Sequence, residues 1–198
     1  MIQVKNISDL PPYKLFLSYY NKAHNKKEEN IEAMAISSYN KELSHVDSRY
    51  VNIKFVEDDR WVFFTNYNSP KAKQFKSHDQ ISGLFFWKKI NVQIRIKGKI
   101  TILDDEQSNI YFQKRSHEKN ALAISSRQSE VTYNYQSVID NYNYVLKNKD
   151  LSFRPKYWGG YSFTPYEIEF WEGNEFRLNK RNLYRKDNAS WNHFILEP

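Results

Sequence analysis

Basic and aromatic side chains are the residues of this sequence whose types and spacing could do chemistry. Arg49 and Lys54 flank a short hydrophobic run, and Lys71 follows Ser69-Pro70 after a second run, Phe63-Phe-Thr-Asn66. A strand that leads into a helix N-terminus presents free backbone N–H groups, and a lysine there adds positive charge. On this segment alone an ordinary strand–turn–helix is the preferred interpretation, and an anion site is the alternative.

The spacing of Arg49 and Lys54 limits how they can work together. In a regular strand, side chains five residues apart point to opposite faces. The pair therefore shares one ligand only if the strand contains a bulge, or else each residue serves a different group. A solvated strand face is the remaining interpretation.

The sequence lacks the motifs of several enzyme classes. It contains no cysteine, which excludes disulfides, thiolate nucleophiles, zinc ribbons and iron–sulfur clusters. It has no Walker loop, no dinucleotide-type glycine fingerprint, no HExxH and no GxSxG. The five histidines are isolated, so no metal site is predicted. Redox chemistry would therefore have to come from a bound cofactor.

Composition bounds the class of protein. The chain has 198 residues and a formal net charge of +7, and aromatic residues make up 17% of it. This length suits one domain with a substantial core. A basic, aromatic-rich chain suits nucleic acid or a phosphorylated small molecule as partner. We find no signal-peptide pattern and no apolar run long enough to span a bilayer, so we expect a cytoplasmic protein with no membrane partner.

Hydrophobic periodicity predicts the elements that must position these residues. A lead helix begins at Pro11-Pro12 and runs to Ala23, and further short helices are predicted at 69–72, 104–115, 119–126 and 136–146. A period of two predicts strands at 33–38, 50–56, 61–66, 81–87, 92–103, 161–163, 167–171, 175–178 and 192–196. Antiparallel strands with helices inserted between them indicate a β-barrel decorated by helices.

Taken together, ordered segments along the chain resemble the pyridoxamine 5′-phosphate oxidases from about Pro12 to Pro198. The segments that carry the resemblance are Arg49-Tyr-Val-Asn-Ile-Lys54, Phe63-Phe-Thr-Asn66, Ser69-Pro-Lys-Ala72, Leu84-Phe-Phe-Trp87, Gln93, Tyr111-Phe-Gln-Lys-Arg115, Ser126-Arg-Gln-Ser129, Trp158-Gly-Gly160, Glu167-Ile-Glu-Phe-Trp-Glu-Gly173 and Arg177-Leu-Asn-Lys-Arg181. The carboxy-terminal block is the most specific of them.

The resemblance implies a mainly β fold, the FMN-binding split barrel, which is antiparallel and Greek-key-like with short peripheral helices. It implies one domain over residues 1–198, with a lead helix in 1–30, a barrel with inserted helices in 31–147, and dimerisation strands in 158–198. The implied assembly is a homodimer with flavin sites at the subunit interface, and the implied cofactor is FMN.

By the same resemblance, two sets of residues would form the site. The FMN set comprises Arg49, Tyr50, Val51, Asn52, Ile53, Lys54, Phe64, Thr65, Lys71, Gln93, Gln128, Ser129, Trp171 and Arg181. The substrate set comprises Lys54, Tyr111, Arg115, Lys119, Arg177 and Asn179, of which Arg177 and Asn179 would act at the reacting ring. The basic residues of both sets are suited to bind a phosphate group, and a flavin ring needs polar groups beside it.

The implied activity is oxidation of pyridoxamine or pyridoxine 5′-phosphate to pyridoxal 5′-phosphate, with O2 reduced to hydrogen peroxide. The sequence departs from the family pattern at Pro70, where a basic residue is usual, at Lys119 for a small hydroxylic residue, and at Asn179 for histidine. Two alternatives remain open: a flavin oxidase acting on a different ring substrate, and a noncatalytic binding protein for flavin, vitamin B6 or nucleic acid. The resemblance favours a small-molecule substrate over nucleic acid.

Overall fold

The computed structural model describes all 198 residues. The strands are β1 (Gln3–Lys5), β2 (Ala33–Asn40), β3 (His45–Asn52), β4 (Phe55–Glu57), β5 (Arg60–Asn66), β6 (Gln80–Trp87), β7 (Val92–Ile102), β8 (Trp158–Glu172), β9 (Lys180–Asp187) and β10 (Ser190–Leu196). The helices are α1 (Pro11–Asn25), α2 (Pro70–Ser77), α3 (Asp105–Gln113), α4 (His117–Ser125) and α5 (Tyr135–Asn148).

The strands form one sheet that curls into a barrel. Its order is β1-β4-β5-β8-β7-β6-β2-β3, with β9 paired to β8 and β10 paired to β9. Every pairing is antiparallel except β1 with β4. Only Ile53 and Lys54 separate β3, at one end of this order, from β4, which lies next to the other end, so the chain brings the two ends of the sheet together. The expected mainly β fold with peripheral helices is confirmed.

The two faces of the sheet differ in chemistry. Opposite residues on paired strands share a face. One row runs through Ile36, Gly83, Ile96 and Ile168 and lies against the buried core. The adjacent row runs through Ala35, Leu84, Arg95 and Glu169 on the outer face. The alternation that the sequence shows in β7 therefore separates an apolar interior from a charged exterior.

Helix α1 closes one end of the barrel with a stripe of aromatic residues. Tyr13, Phe16, Tyr19 and Tyr20 are buried on one side of it, at the helical spacing seen in the sequence. The ring of Phe16 packs edge-on against Trp61, with 4.5 Å between centroids. No helix of the chain is long and apolar enough to cross a bilayer.

Two helix starts confirm their sequence signals. The Asp104 side chain accepts a hydrogen bond of 2.7 Å from the Gln107 backbone N–H and caps α3. Helix α2 begins at Pro70, whose missing N–H would have had no partner within the helix. Ser69 precedes α2 without a side-chain capping bond, which leaves its hydroxyl for Lys71.

Several predicted boundaries were wrong. The strand predicted at 50–56 is broken after Asn52, and the strands predicted at 161–163 and 167–171 are one continuous β8. Residues 175–178 are not a strand, because Phe176 has a φ of 58° and forms a tight turn. Strands β1 and β9 were missed, and β1 precedes the expected lead helix. The Gly159-Gly160 pair lies inside β8.

Candidate functional site

A first cluster of cations lies where α2 meets β2 and β3. Arg49 comes from β3, and its guanidinium donates to Ser38 Oγ at 2.5 Å and to the Asp47 backbone oxygen at 3.0 Å. Lys71 comes from the first turn of α2, and its side chain donates to Thr65 Oγ1 at 3.3 Å. The cluster therefore joins three separate elements around two positive charges.

Lys71 is buried without a carboxylate partner. Only 5% of the residue is exposed, and its ammonium contacts the hydroxyls of Thr65 and Ser69. Burial, and secondarily the charge of Arg49, lower the pKa of Lys71 to about 8. A buried charge is costly unless it is paired, so this environment favours an anion beside Lys71.

The loop after α4 completes the first cluster. The Gln128 side-chain oxygen accepts hydrogen bonds from the Thr65 hydroxyl at 3.1 Å and from the Asn66 backbone N–H at 3.2 Å. Ser129 adopts a φ of 68°, so the chain turns sharply directly after Gln128. Gln128 is therefore next to Lys71 through their shared partner Thr65, although 57 residues separate them in the sequence.

A second cluster of cations lies at the end of α3. The Arg115 guanidinium lies 4.3 Å from the centroid of the Trp158 ring and donates to the Lys119 backbone oxygen at 2.7 Å. Its other terminal nitrogen, Nη1, is buried and has no hydrogen-bond partner. Burial lowers the pKa of Arg115 and raises that of Tyr111. A buried guanidinium nitrogen with an open donor is suited to bind an anion.

Lys54 joins this second cluster rather than the first. Burial lowers the pKa of Lys54; Glu32 opposes this effect, while the charges of Lys119 and Arg115 add to it. Because β3 ends at Asn52, Arg49 lies on β3 and Lys54 lies in the link to β4, and the two side chains belong to different clusters. This is one of the two arrangements that the five-residue spacing left open.

Aromatic rings border the second cluster. The Tyr111 ring stacks on Phe64 with 3.8 Å between centroids, and Phe64 stacks on Trp158 at 5.4 Å. A cleft of about 290 Å³ opens beside Tyr111 and is also lined by Phe55 and Lys114. Arg115, Lys54 and Lys119 do not line this cleft, so Tyr111 and Phe64 are the residues that connect it with the rings beside Arg115.

Three of the predicted ring contacts form one row on the outer face of the sheet. Gln93 is opposite Trp171, and Trp171 is opposite Arg181. Arg181 donates to Glu169 Oε1 at 2.8 Å and to the Glu197 backbone oxygen at 2.9 Å. The row crosses β7, β8 and β9, so residues far apart in the sequence present one polar and aromatic surface.

The row and the first cluster lie on opposite faces of the sheet. Arg49 is opposite Ile36 and therefore belongs to the core-facing row. Gln93, Trp171 and Arg181 belong to the outer face. A single chain does not present both sets to one ligand across this sheet, because strands β6 and β2 separate β7 from β3.

Arg177 and Asn179 lie in the turn between β8 and β9. Phe176 and Arg177 have φ angles of 58° and 63°, and both side chains are exposed. The Asn179 side-chain oxygen accepts a hydrogen bond of 3.2 Å from the Asn174 backbone N–H and closes the turn. Within the chain no hydrogen bond or ion pair joins either residue to the second cluster; Arg177 is exposed, and Asn179 is half-buried.

The remaining predicted contacts differ in exposure. Tyr50 is 75% exposed on the outer face, and Asn52 is also exposed. Val51 is half-buried, and the buried Ile53 donates its backbone N–H to the Glu32 oxygen at 2.9 Å. Any role of this segment toward a ligand stays a prediction.

Sequence reasoning did not identify the partners of Arg49. Ser38, Asp47 and Gln74 surround its guanidinium, and Ser38 and Gln74 are almost fully buried. A signal was present for Gln74, because Lys71 and Gln74 are three residues apart on α2 and share a face. Ser38 and Asp47 carried no signal, since their proximity depends on the pairing of β2 with β3.

Comparison with known protein families gives two matches that together cover most of the chain. Residues 20–145 match the family described as pyridoxamine 5′-phosphate oxidase. Residues 158–198 match the pyridoxine 5′-phosphate oxidase C-terminal dimerisation region. The second range begins at the first residue of β8 and includes β9 and β10.

Curated relatives agree with these matches. A pyridoxine/pyridoxamine 5′-phosphate oxidase of Leptospira biflexa is 33% identical over 190 residues, covering 94% of this chain and 89% of that protein. The enzyme of the same name from Haemophilus influenzae is 35% identical over 188 residues, with the same coverage of both chains.

Two solved structures share the fold. PhzG from Burkholderia lata 383, in complex with tetrahydrophenazine-1-carboxylic acid, has a TM-score of 0.90 at 24% identity and covers 96% of this chain and 95% of its own. A pyridoxamine 5′-phosphate oxidase-related, FMN binding protein from Nostoc punctiforme has a TM-score of 0.78 at 15% identity and covers 96% and 99%. The length and strength of the sequence matches show that this chain belongs to the pyridoxamine 5′-phosphate oxidase family, a family of oxidoreductases.

Proposed function

We propose that this chain is an FMN-dependent oxidase that converts pyridoxamine or pyridoxine 5′-phosphate to pyridoxal 5′-phosphate. Pyridoxine phosphate and O2 would give pyridoxal phosphate and hydrogen peroxide, and the amine substrate would also consume water and release ammonia. The observation that carries the proposal is the presence of two separate cation clusters, one with the buried Lys71 ammonium and one with the buried Nη1 of Arg115, neither of which has a carboxylate partner. Two phosphorylated ligands, the cofactor and the substrate, require two such sites.

The first cluster fits the phosphate of FMN. Lys71 and Arg49 supply two positive charges, and Gln128 lies beside them through Thr65. A phosphate dianion would offset the burial of the Lys71 ammonium, which has only hydroxyl partners. The absence of a dinucleotide glycine fingerprint favours FMN over FAD.

The second cluster fits the phosphate of the substrate. The open Nη1 of Arg115 would donate to a phosphate oxygen, and Lys54 and Lys119 would add charge around it. Tyr111 would add a phenol donor at the edge of the cleft. Binding there would fix the distance between the substrate phosphate and its reacting C4′ carbon, which aligns that carbon without a catalytic acid or base.

When bound, FMN would supply the acceptor of the hydride from C4′ and the group that O2 reoxidises. The residues of this chain would bind and orient. Gln93, Trp171 and Arg181 would contact the ring system, and Arg177 would lay its planar guanidinium against the substrate ring. Asn179 would hold the turn that presents Arg177, through its hydrogen bond to Asn174.

We also propose that the site is shared between the two subunits of a homodimer. The phosphate anchors lie on the core side of the sheet, and the ring contacts lie on the outer face. The row that includes Tyr50, Leu84 and the nearby Phe86 leaves large apolar side chains exposed on that outer face. A second copy would cover them and bring its own Trp171 and Arg181 to the edge strand β3 of the first, which carries the Arg49 anchor.

An absorption spectrum and a peroxide assay test the proposed function. The purified protein should carry about one FMN per subunit and release hydrogen peroxide with pyridoxamine or pyridoxine 5′-phosphate. Peroxide formed only with an unphosphorylated or larger ring compound would favour a flavin oxidase of another substrate. Flavin absorbance without turnover would favour a binding protein, and failure to bind FMN at micromolar concentration would overturn the proposal.

A further inference from the structure

The environment of Arg49 contains a polar network that the proposed contacts do not include. Gln74 lies on the same face of α2 as Lys71 and is 5% exposed. Its side-chain oxygen accepts a hydrogen bond from the Ser38 hydroxyl and lies 3.5 Å from Arg49 Nη2. Its amide nitrogen donates to Asp47 Oδ2 at 2.5 Å. The amide therefore connects a carboxylate on one side with a hydroxyl and a guanidinium on the other.

This arrangement determines the orientation of the Gln74 amide. Asp47 is an acceptor only, so the amide N–H groups must face it. The opposite orientation would place those N–H groups against the guanidinium and leave the carboxylate oxygen without its donor. Ser38, which is 3% exposed, also accepts from Arg49 Nη1 and so attaches the same network to β2.

The network also controls the charge around Arg49. A carboxylate bound directly to the guanidinium would neutralise it and compete with an incoming phosphate. Asp47 Oδ2 instead lies 3.7 Å from Arg49 Nη2 and is occupied by Gln74 and by His45 at 3.3 Å. The short contacts of Arg49 are to neutral oxygens, so its positive charge stays available.

We infer that Gln74, acting with Ser38 and Asp47, is a positioning residue that holds the Arg49 guanidinium in place for the phosphate of the flavin. This inference rests on the proposed function, because the first cluster must be a phosphate site. A preorganised guanidinium binds more tightly, since less side-chain freedom is lost on binding.

Flavin titrations of two ligands test the inference. FMN carries the phosphate and riboflavin lacks it, so a residue that positions Arg49 affects FMN alone. Gln74→Met keeps the length of the side chain and removes its polar atoms. We expect FMN to bind this variant about tenfold more weakly, with riboflavin affinity unchanged. Ser38→Ala should lose less FMN affinity, again with riboflavin affinity unchanged. This variant replaces Gln74→Met in the test if Gln74→Met does not fold.

Two matched controls complete the experiment. Lys76→Met alters the exposed face of α2, and Ser37→Ala removes a hydroxyl that bonds Ser48 instead. Both should keep the FMN and riboflavin affinities of the unmodified protein. Equal losses for both flavins, or an unchanged preference for FMN in the Gln74 and Ser38 variants, would overturn the inference while leaving the proposed function intact. An unmodified protein that does not prefer FMN over riboflavin would overturn both.

Discussion

Burial governs the behaviour of the two cations on which the proposed function depends, Lys71 and Arg115. Lys71 is almost fully buried, Arg115 is half-buried with its Nη1 shielded from water, and neither bonds a carboxylate. The free-energy cost of burying these charges is part of folding, so it does not arise again when a ligand binds them. This feature gives predictions that differ from those for an exposed lysine or arginine, whose charge is screened by solvent.

At Lys71, FMN affinity should depend on pH. Its pKa is lowered to about 8 in the ligand-free protein, and a bound phosphate favours the charged form. Lys71 loses its proton as the pH rises through this value, so FMN should bind about tenfold more weakly at about pH 9 than at about pH 7. Calorimetric titration measures this dependence. Lys71→Met should bind weakly at both pH values, and an equal slope for riboflavin would contradict the assignment.

The same shift affects stability with the opposite sign. Above about pH 8 the folded chain releases the Lys71 proton, while the unfolded chain retains it up to its ordinary pKa of 10.5. The unfolded state then binds more protons, so this group makes the free energy of unfolding of the ligand-free protein rise with pH in that window. Urea titrations of the unmodified protein and of Lys71→Met, compared at each pH, isolate the contribution.

Arg115→Met should weaken binding of the phosphorylated substrate. Removing one member of a buried charged contact costs about 2–5 kcal/mol, so the KM for pyridoxamine 5′-phosphate should rise at least about thirtyfold. Lys147→Met, at an exposed position on α5, is the matched control and should have little effect. Steady-state kinetics with and without the substrate phosphate group measure the difference. An unchanged KM in Arg115→Met would favour a different substrate.

At the scale of elements, the long strand β8 organises both parts of the site. Trp158 at its start lies under Arg115, and Trp171 near its end lies between Gln93 and Arg181. Strand β8 also pairs with β5, β7 and β9. A substitution that disturbs the pairing of β8 would therefore displace the predicted ligand contacts on all three neighbouring strands. The pairing of β7 with β8 is irregular between Lys97 and Gly98.

Gly98 should not tolerate a side chain. A Cβ there would lie 2.8 Å from the Thr164 backbone oxygen and 3.1 Å from a ring carbon of Phe163. Because backbone cannot move as a side chain can, Gly98→Ala should lower the free energy of unfolding by about 1–3 kcal/mol. In Gly83→Ala, the new Cβ would meet only the flexible end of Met34, so the loss should be smaller. Equilibrium urea unfolding compares the two, and a larger loss in Gly83→Ala would contradict this account.

For the whole molecule, the outer face of the sheet combines apolar exposure with ordered charge. Glu167 pairs with Lys97 at 2.8 Å and with Arg185 at 2.7 Å. Glu169 pairs similarly with Arg181 and Arg95. The large apolar side chains exposed beside these ion pairs, among them Tyr50, Leu84 and Phe86, are the feature that indicates an interface. These ion pairs lie on β7, β8 and β9, and the dimerisation region of the family covers β8 and β9.

Dimerisation and FMN binding should be coupled. Phe86 is 53% exposed on the outer face, so Phe86→Glu should leave the fold of one chain intact while placing a charge in the proposed interface. We expect this variant to sediment as a monomer and to lose FMN affinity, although its phosphate anchors are unchanged. Phe153→Glu, in an exposed loop, is the control. A flavin-loaded monomer of the unmodified protein at micromolar concentration would contradict the shared site.

The sequence by itself determined the elements whose signals are local. The alternation of Val92, Ile94 and Ile96 with polar residues predicted β7, and Asp104 predicted the start of α3. These signals depend on neighbouring residues, so they survive without knowledge of the fold. The ordered segments also identified the family, since they match over nearly the whole chain.

Only the tertiary structure decided which of these residues meet. Lys54 lies near Arg115 and Lys119. Arg49 lies near Gln74 and Lys71. This separation arises because strand β3 ends between Arg49 and Lys54 and because each pair of strands has one register. Periodicity states which face of a strand is buried, but not which distant strand lies beside it. The separation of the proposed phosphate anchors and the proposed ring contacts onto opposite faces of the sheet is likewise a property of strand pairing, so no local pattern could reveal it.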